Sequence, residues 1–309
     1  MMEVDFVDII IAAVIVTYNR IDLLKKVLKA FEGQLELPDI IVIVNNASTD
    51  GTAEYLDSWK SSTRCDAKII VINNKENLGG SGGFYVGSKE AISLGADWIW
   101  VSDDDAIPNE NVFLLARKHI DSLGKDEDVS AICGKIIVNE KIAETNRNFR
   151  KRGLFRYRLI DVPIDYYEKE SFEIGCFSYL GVFMNAKKIK EVGLINPDFF
   201  IWIDDVEHSW RLSKVGKIIC FPDMVIDHKV NMEDYNGLYS WKTYYGFRND
   251  IMSLKINSNN WYVFCKIVII MLKALKSRNS TYIKISISSI RDALNNKMGI
   301  HDIYKPGWK

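Results

Sequence analysis

The chain has 309 residues, with 40 Lys and Arg against 41 Asp and Glu, and hydrophobic residues make up 48% of it. These values are ordinary for a folded globular protein and exclude a disordered, collagen-like or low-complexity chain. The near-neutral total hides an asymmetry. Residues 231–309 contain 12 basic and 5 acidic residues (+7), which leaves 28 and 36 (−8) for residues 1–230. We therefore expect the two parts to face different partners.

The cysteines and the first residues indicate the compartment. Five cysteines are odd in number and widely spaced, with no Cys-x-x-Cys pair, which argues against a disulfide framework or a zinc-thiolate site. Glu3, Asp5 and Asp8 stand where a secretory signal would carry Lys or Arg. No apolar run reaches the roughly 18 residues of a membrane span. We expect a cytoplasmic protein.

Apolar, β-branched runs alternate with stretches of helical spacing in the first third of the chain. The run 9–16 is broken by Thr17-Tyr18-Asn19-Arg20, and helical spacing follows over 22–31. This unit predicts a strand, a loop and a helix. The order then recurs, with strands predicted at 40–44, 68–72 and 98–102, helices at 53–60 and 84–94, and a glycine-rich loop at 73–83.

This alternation predicts an α/β fold with a doubly wound, mostly parallel sheet. Ligands bind such sheets beyond the carboxyl ends of the strands, so the loops at 17–20, 45–50, 73–83 and 102–105 should converge on one crevice. Beyond about residue 230 helical spacing dominates. We therefore predict a domain at 1–230 and a basic, mainly helical region at 231–309.

Three consecutive carboxylates, Asp103, Asp104 and Asp105, follow the predicted strand at 98–102. Adjacent carboxylates repel one another unless a cation neutralises them, and oxygen ligands suit Mg²⁺ or Mn²⁺ rather than zinc. Asp103 and Asp105 project to the same side of an extended segment and can share one ion with a diphosphate. An exposed acidic turn is the alternative, but the position after a strand favours the metal site.

The segment 77–83, Asn-Leu-Gly-Gly-Ser-Gly-Gly, lets the backbone approach a ligand closely. It opens the helix predicted at Phe84, whose first amide groups favour anions. It is not a dinucleotide fingerprint, because Tyr85 occupies the place of the third glycine, and it is not a P-loop, because no Gly-Lys-Ser/Thr follows. A simple turn between strand and helix is the alternative.

The segment 147–158 has six Lys and Arg in twelve positions. A solvated loop and a mobile anion-binding segment are equally compatible with this composition. The acidic part at 1–230 offers no extended positive face, so we expect no nucleic-acid partner.

A second acidic cluster, Asp204-Asp205-Val206-Glu207, follows the aromatic segment Phe199–Trp202. Apolar rings beside a carboxylate raise its proton affinity towards the range in which it can deprotonate a hydroxyl, which is the task of a general base. Acidic residues are also ordinary in the first turn of a helix. His228 ends a later β-type segment and becomes a candidate ligand where other metal ligands are already implied.

As a set, these motifs resemble family 2 inverting glycosyltransferases with a GT-A fold, over about residues 10–230. The motifs lie at 17–20, 45–52, 77–80, 103–105 and 204–207. The chain looks most like the bacterial galactofuranosyltransferases in three features: the segment 77–84, the Asp triplet and a His 23 residues after Asp205. Rhamnosyltransferases of the same family are close relatives of these enzymes. A catalytically silent nucleotide-sugar or glycan-binding module is an alternative that the joint presence of Asp205 and the Asp triplet disfavours.

The resemblance implies a role for individual residues. Asp205 would be the base, and Asn45 would accept a hydrogen bond from the nucleotide base through its carbonyl oxygen. The residues implied to bind the nucleotide-sugar donor are Thr17, Asn19, Arg20, Asn45, Asn77, Gly79, Gly80 and Asp104. Those implied to hold Mn²⁺ or Mg²⁺ on the donor diphosphate are Asp103, Asp105 and His228.

The implied reaction transfers galactofuranose from UDP-galactofuranose, or alternatively rhamnose from dTDP-rhamnose, to a hydroxyl of a lipid-linked or polysaccharide acceptor.

The segment 260–276 combines aromatic residues, a short apolar run and the lysines at 266, 273 and 276. Such a helix can lie among lipid headgroups, so we expect a peripheral protein on the cytoplasmic face of the inner membrane. Packing against the catalytic domain or a second subunit is the alternative.

Overall fold

The computed structural model describes residues 9–123, 128–229 and 239–308. The strands are β1 (Ile11–Thr17), β2 (Ile40–Asn45), β3 (Lys68–Asn73), β4 (Trp98–Asp103), β5 (Ala106–Pro108), β6 (Val129–Val138), β7 (Lys141–Ile142), β8 (Arg147–Arg152), β9 (Tyr157–Asp161), β10 (Phe172–Ile174), β11 (Cys176–Phe177), β12 (Leu180–Asn185) and β13 (Lys217–His228). The α-helices are α1 (Ile21–Glu32), α2 (Thr52–Ser62), α3 (Gly79–Ser93), α4 (Val112–Leu123), α5 (Ala186–Val192), α6 (Asp204–Leu212), α7 (Trp241–Asn257), α8 (Asn260–Ser277) and α9 (Ser280–Leu294).

The main sheet has the strand order β10-β13-β6-β12-β4-β1-β2-β3, with β5 paired to β13 and β7 to β6. β1 to β4 run parallel, and β12 lies antiparallel between β4 and β6. Thr17, Asn45 and Asn73 are in register at the ends of β1, β2 and β3. The α/β fold with a mostly parallel sheet, predicted from the sequence, is confirmed, and these strand ends meet at one edge.

Successive residues of the central strands contribute to two hydrophobic cores, one on each face of the sheet. Ala13 and Ile15 of β1 belong to the core that includes Phe31 of α1. Val14 and Val16 belong to the core that includes Phe84 of α3. β1 is buried along its whole length, which explains why its sequence is continuously apolar instead of alternating.

The prediction of a glycine-rich loop over 73–83 is wrong in its second half, because residues 79–83 form the start of α3. A Cβ atom on Gly83 would lie 2.5 Å from Cγ1 of Val16, and a Cβ atom on Gly87 would lie 2.4 Å from Cγ1 of Val14. These positions are four residues apart and share one helix face. The missing side chains let the backbone of α3 rest directly on β1, and this packing outweighs the low helix propensity of glycine.

The basic segment 147–158 is a β-hairpin, so neither the solvated loop nor the mobile segment describes it. β8 pairs with β9 and β11 to form a separate three-stranded sheet. Arg147 is fully buried and donates to the backbone oxygen of Gly134 at 3.0 Å. The guanidinium carbon of Arg150 lies 4.3 Å from the ring centroid of Trp210. Arg152 Nε also donates to Tyr262 Oη of α8 at 2.9 Å, so three of the six cations in this segment contact other elements.

Helices α7, α8 and α9 pack against one another after residue 239. Ile251 of α7 shares a hydrophobic core with Phe199 and Trp210 from the preceding part of the chain. The boundary predicted at residue 230 and the N-terminal acidic residues lie outside the described residues. Across the three described ranges, no helix is both long enough and apolar enough to span a membrane.

The packing of α3 on β1 generates a prediction about stability. Gly87→Ala should lower the free energy of unfolding by about 1–3 kcal/mol, because its methyl group would overlap Val14 inside a filled core. Gly80→Ala is the matched control in the same helix, since a Cβ atom there meets nothing within 4 Å. That variant should be neutral or more stable by up to about 1 kcal/mol. Urea unfolding measures both, and equal losses would contradict the close approach.

Candidate active site

A cleft of about 630 Å³ opens at the carboxyl ends of β1 and β4, between the start of α3 and the segment before α6. Ten of the twelve residues predicted from the sequence line this cleft. They are Thr17, Arg20, Asn77, Gly79, Gly80, Asp103, Asp104, Asp105, Asp205 and His228. The fold therefore gathers loops that are far apart in the sequence into one site.

The acidic triplet is tied to the loop after β1. Thr17 Oγ1 donates to Asp104 Oδ2 at 2.6 Å. Arg20 Nη1 lies 2.8 Å from Asp105 Oδ2 and 3.4 Å from Asp104 Oδ1, so its guanidinium bridges two carboxylates. Burial raises the pKa of Asp104 to about 6, although Arg20 and Thr17 favour the charged form. The loop at 17–20 thus supplies the positive charge that the acidic edge lacks.

The pairing of the short strand β5 with β13 brings His228 close to the acidic triplet. β5 follows the triplet directly and pairs with the end of β13, where Ala106 faces His228. His228 Nε2 lies 3.4 Å from Asp105 Oδ1. Burial by itself would raise the pKa of Asp105, but His228 and Arg20 outweigh it, and the pKa of Asp105 is lowered. The structure therefore explains how a residue 123 positions after Asp105 joins the same site.

The third carboxylate, Asp103, lies where a negative charge is poorly compensated. Burial and the neighbouring charges of Asp105 and Asp104 raise the pKa of Asp103 well above its usual range. A divalent cation would relieve this repulsion, and two carboxylates with the imidazole of His228 form a donor set suited to Mn²⁺. In the described part of the chain, no three His, Cys, Asp or Glu side chains are already arranged around a metal position. The donor set fits the ion by its chemistry, while Asp105 is engaged by Arg20 and His228.

Asn19 and Asn45 are the two predicted site residues that do not line the cleft. The side-chain oxygen of Asn45 accepts from the Ser48 amide at 3.0 Å, and its amide donates to Asn73 Oδ1 at 2.8 Å. Asn19 Oδ1 accepts from the Thr49 amide at 2.7 Å. Asn19 therefore joins the loop at 17–20 to the turn at 45–50, and Asn45 joins that turn to the end of β3. The donor-binding roles of both residues stay predictions.

Asn46 is a cleft residue to which the sequence analysis gave no role. Its buried amide donates to the carbonyl of Gly79 at 2.8 Å and to Asn77 Oδ1 at 3.1 Å. Its oxygen accepts from the Leu78 amide at 3.0 Å. Asn46 therefore fixes the first turn of α3 at the cleft. The available signal was its place directly after Asn45, since neighbouring residues at a strand end project to opposite sides.

Two carboxylates, Asp204 and Asp205, lie in the first turn of α6 and line the same cleft as the acidic triplet. Asp205 Oδ1 accepts from the Val206 amide at 2.7 Å. Burial raises the pKa of Asp204 to about 6, and burial with the adjacent Asp204 charge raises the pKa of Asp205 to about 7. The pair titrates together, and it can take up a proton near neutral pH.

The segment before Asp204 has an unfavourable backbone. Phe200, Trp202 and Ile203 all have positive φ angles, between 65° and 70°, which cost about 1–3 kcal/mol each for residues with side chains. Asn249 of α7 is fully buried and holds this segment by its side-chain amide. That amide donates, at 2.9 Å in each case, to the carbonyls of Phe199, Ile201 and Trp202.

Several further cleft residues come from segments without a recognisable motif. Tyr179 shares a buried 2.9 Å hydrogen bond between its hydroxyl and Nδ1 of His208. Trp202 is 43% exposed at the cleft. Trp241 and Lys242 come from the start of α7. Among these residues, only Trp202 belongs to a pattern noted in the sequence, the aromatic run at 199–202. That run was interpreted as an environment for the neighbouring carboxylates, and not as part of the cleft lining.

The fold defines the class of protein. GalNAc-T7, solved with UDP, GalNAc and Mn²⁺, gives a TM-score of 0.61 at 13% identity, covering 93% of this chain and 56% of that one. S. aureus TarS in complex with UDP-GlcNAc gives 0.60 at 13% identity, covering 93% and 83%. The fold is therefore that of the GT-A glycosyltransferases. The family description "Glycosyl transferase family 2" matches residues 12–186, more than half of the chain, which belongs to that family.

Two galactofuranosyltransferases and an abequosyltransferase are similar to this chain in sequence. The galactofuranosyltransferase GlfT1 of Mycolicibacterium smegmatis is 30% identical over 213 residues, 67% of this chain and 66% of that protein. GlfT1 of Mycobacterium tuberculosis is 38% identical over 210 residues, 66% and 64%. The matched part spans slightly less than two thirds of these relatives. The abequosyltransferase RfbV of Salmonella typhimurium is 33% identical over 117 residues, 37% of this chain and 33% of that protein.

The Asn249 contacts predict a loss of stability. Asn249→Ala removes the side-chain donor from the carbonyls of Ile201 and Trp202, whereas the carbonyl of Phe199 keeps Arg248, so the free energy of unfolding should fall by about 1–3 kcal/mol. Asn295→Ala, an exposed position just after α9, is the matched control and should stay within about 0.5 kcal/mol. Urea unfolding of both variants checks the difference. An Asn249 variant as stable as the control would show that the segment before α6 needs no support.

Proposed function

We propose that the protein is an inverting glycosyltransferase that transfers galactofuranose from UDP-galactofuranose to a hydroxyl of a growing, lipid-linked surface glycan. The observation that carries the proposal is Asp205. Its carboxylate faces the same cleft as the acidic triplet, and its pKa is raised to about 7. A general base is most effective when its pKa lies near the working pH.

Asp205 takes the proton of the acceptor hydroxyl as that oxygen attacks the anomeric carbon. The bond from the anomeric carbon to the donor phosphate oxygen breaks on the opposite face, and the nucleoside diphosphate leaves with the electron pair. A single displacement inverts the anomeric configuration and requires no covalent intermediate with the enzyme. Asp204 keeps the proton affinity of Asp205 high by its adjacent charge.

The donor diphosphate lies at the acidic edge and the first turn of α3. Gly79 and Gly80 open α3 at the cleft, where helix amide groups favour an anion. Asp103, Asp105 and His228 would hold Mn²⁺ or Mg²⁺, which when bound neutralises charge that develops on the departing diphosphate. Arg20 would then exchange a carboxylate partner for phosphate oxygens, a geometry that guanidinium groups favour.

The choice of galactofuranose rests on the two GlfT1 relatives at 30% and 38% identity. The shorter match to an abequosyltransferase supports a second candidate among other sugars, for which we name rhamnose from dTDP-rhamnose. The exposed apolar side chains on the outer side of α8 support the proposal of a lipid-linked acceptor. A homo-oligomer remains a separate proposal, tested by sedimentation.

A donor panel tests the proposal. Purified protein with Mn²⁺ is incubated with UDP-galactofuranose, UDP-galactopyranose, UDP-glucose and dTDP-rhamnose, and release of nucleoside diphosphate is measured with and without a galactofuranosyl acceptor. Of the four donors, we expect only UDP-galactofuranose to release its nucleoside diphosphate, UDP, and to do so only when the acceptor is present. Preferential turnover of dTDP-rhamnose would select the second candidate. Release of pyrophosphate instead would indicate a nucleotidyltransferase.

The role of Asp205 predicts a large loss of turnover. Asp205→Asn should lower kcat by at least about 10²-fold with little change in donor binding, because the amide cannot accept the proton. Asp22→Asn, on an 88% exposed side chain of α1, is the matched control. In the unaltered protein, kcat/KM should rise with pH through about 7 as the pair of carboxylates loses its proton. A pH profile unchanged in the Asp205 variant would remove this residue from the mechanism.

The acidic edge predicts metal-dependent binding of UDP. Calorimetric titration with Mn²⁺ should give clearly tighter UDP binding than titration without it, since a diphosphate alone meets uncompensated carboxylates. Asp105→Ala should abolish this difference, and His228→Ala should reduce it. Asp22→Asn again serves as the control. Equal affinity for UDP with and without Mn²⁺ in the unaltered protein would exclude the metal assignment.

A further inference from the structure

Helix α8 carries an apolar stripe on its outer side. Over 18 residues, large apolar side chains recur at a spacing of three or four, and each is at least 37% exposed. That spacing places them on one side of the helix. The stripe consists of Trp261, Phe264, Val268, Leu272 and Leu275. A run of exposed apolar side chains of this length marks an interaction surface.

The tip of the hairpin β8–β9 extends this stripe. Leu154 and Phe155 at the tip are 75% and 56% exposed. The indole Nε1 of Trp261 donates to the carbonyl of Leu154 at 2.9 Å, and the rings of Phe155 and Trp261 lie 6.1 Å apart between centroids. Tyr262 Oη donates to the carbonyl of Gly153 at 2.9 Å. The stripe and the tip therefore form one surface, here called the apolar ridge.

Cations flank the apolar ridge at both ends. Between Asp250 and Asp292 the sequence contains seven Lys and Arg and no Asp or Glu. The exposed cations on the two elements that form the apolar ridge are Lys151, Arg152, Arg156 and Arg158 on the hairpin and Lys273, Lys276 and Arg278 at the end of α8. Lys266 is not among them, because it forms an ion pair with Asp250 of α7. Of the three lysines singled out in the sequence, two therefore remain on the exposed surface.

We propose that the apolar ridge docks on an anionic lipid bilayer, with its apolar side chains in the headgroup boundary and its cations on lipid phosphates. Apolar residues along one side of a helix, an aromatic group and flanking cations match an interfacial helix. Long Lys and Arg side chains reach the phosphates while their stems stay in apolar surroundings. A second copy of the chain fits poorly, since two apolar ridges would bring like charges together.

Docking would place the cleft close to the lipid surface. Asn146, directly before β8, lines the cleft, while the tip of the same hairpin belongs to the apolar ridge. Six residues of extended strand span roughly 20 Å. This distance suits an acceptor glycan attached to a lipid in the same bilayer, a consequence that rests on the proposed function. Docking itself does not depend on it.

Vesicle flotation tests the proposal independently of turnover. The full chain is mixed with phosphatidylcholine vesicles that contain 30% phosphatidylglycerol or none. Phe264→Glu with Leu272→Glu should lower the partition coefficient at least about tenfold, because two exposed apolar groups would become charged. Leu35→Glu, at a 65% exposed leucine after α1, is the matched control and should bind as the unaltered protein does. Cooperative urea unfolding verifies that each variant is folded.

Charge reversal separates the electrostatic contribution to vesicle binding from the contribution of the apolar side chains. Lys273→Glu with Lys276→Glu should lower binding to the anionic vesicles about tenfold, and added salt should weaken binding of the unaltered protein. Absence of the unaltered protein from floated anionic vesicles would overturn the proposal, as would equal binding by the Phe264 and Leu272 variant. A dimer that this variant converts to a monomer would assign the apolar ridge to a second copy. Selective binding of a poly-glutamate peptide would assign it to an acidic protein.

Vesicle binding and the proposed reaction can fail separately. Protein that binds vesicles yet turns over no donor in the panel would leave docking intact and remove the glycosyltransferase proposal. Turnover with a short, water-soluble acceptor in a variant that no longer floats would keep the reaction and show that the transfer itself does not require docking.

Discussion

The direct contact between the backbone of α3 and β1 fixes the geometry of the site. Its glycine face also reaches the segment before α6, since a Cβ atom on Gly79 would lie 2.0 Å from the carbonyl oxygen of Phe200. The Ser81 amide donates to that same oxygen at 3.3 Å. One helix thus touches both the strand that leads into the loop at 17–20 and the segment that presents Asp205. The distance between the two halves of the cleft is therefore set by main-chain packing, which tolerates little variation.

Charge explains why the site is built from distant segments. Carboxylates from β4 and α6 share one cleft, and burial raises the pKa of Asp103, Asp104, Asp204 and Asp205. The side chains that pair with the acidic triplet come from other elements. Arg20 comes from the loop after β1 and His228 from the end of β13. The arrangement stores unfavourable electrostatic energy where a cation and a diphosphate would bind, as is common at functional sites.

Much of the fold and of the site followed from local patterns in the sequence. The continuous apolar runs identified the parallel strands, because strands buried on both faces must be apolar throughout. Asp103 to Asp105 and Asp205 were recognisable from their position after a strand and beside aromatic residues. The helical start of α3 was not, since glycine disfavours helices and the compensating contact with Val14 and Val16 is far away in the sequence. Asn249 was equally hidden, because a lone Asn within a helix carries no signal of three carbonyls contributed by another segment.

The hydrogen bonds from α7 bear on how such chains diversify. Asn249 and Arg248 both donate to the carbonyl of Phe199, 49 or 50 positions earlier, and Trp241 lies at the cleft. A recombination event that exchanged the carboxyl-terminal helices alone would remove the side-chain donors to the carbonyls of Phe199, Ile201 and Trp202, in the segment that contains the positive-φ residues. The segment 198–203 and α7 are therefore expected to be inherited together, as a single cassette that joins the reacting centre to the helices carrying the outer surface.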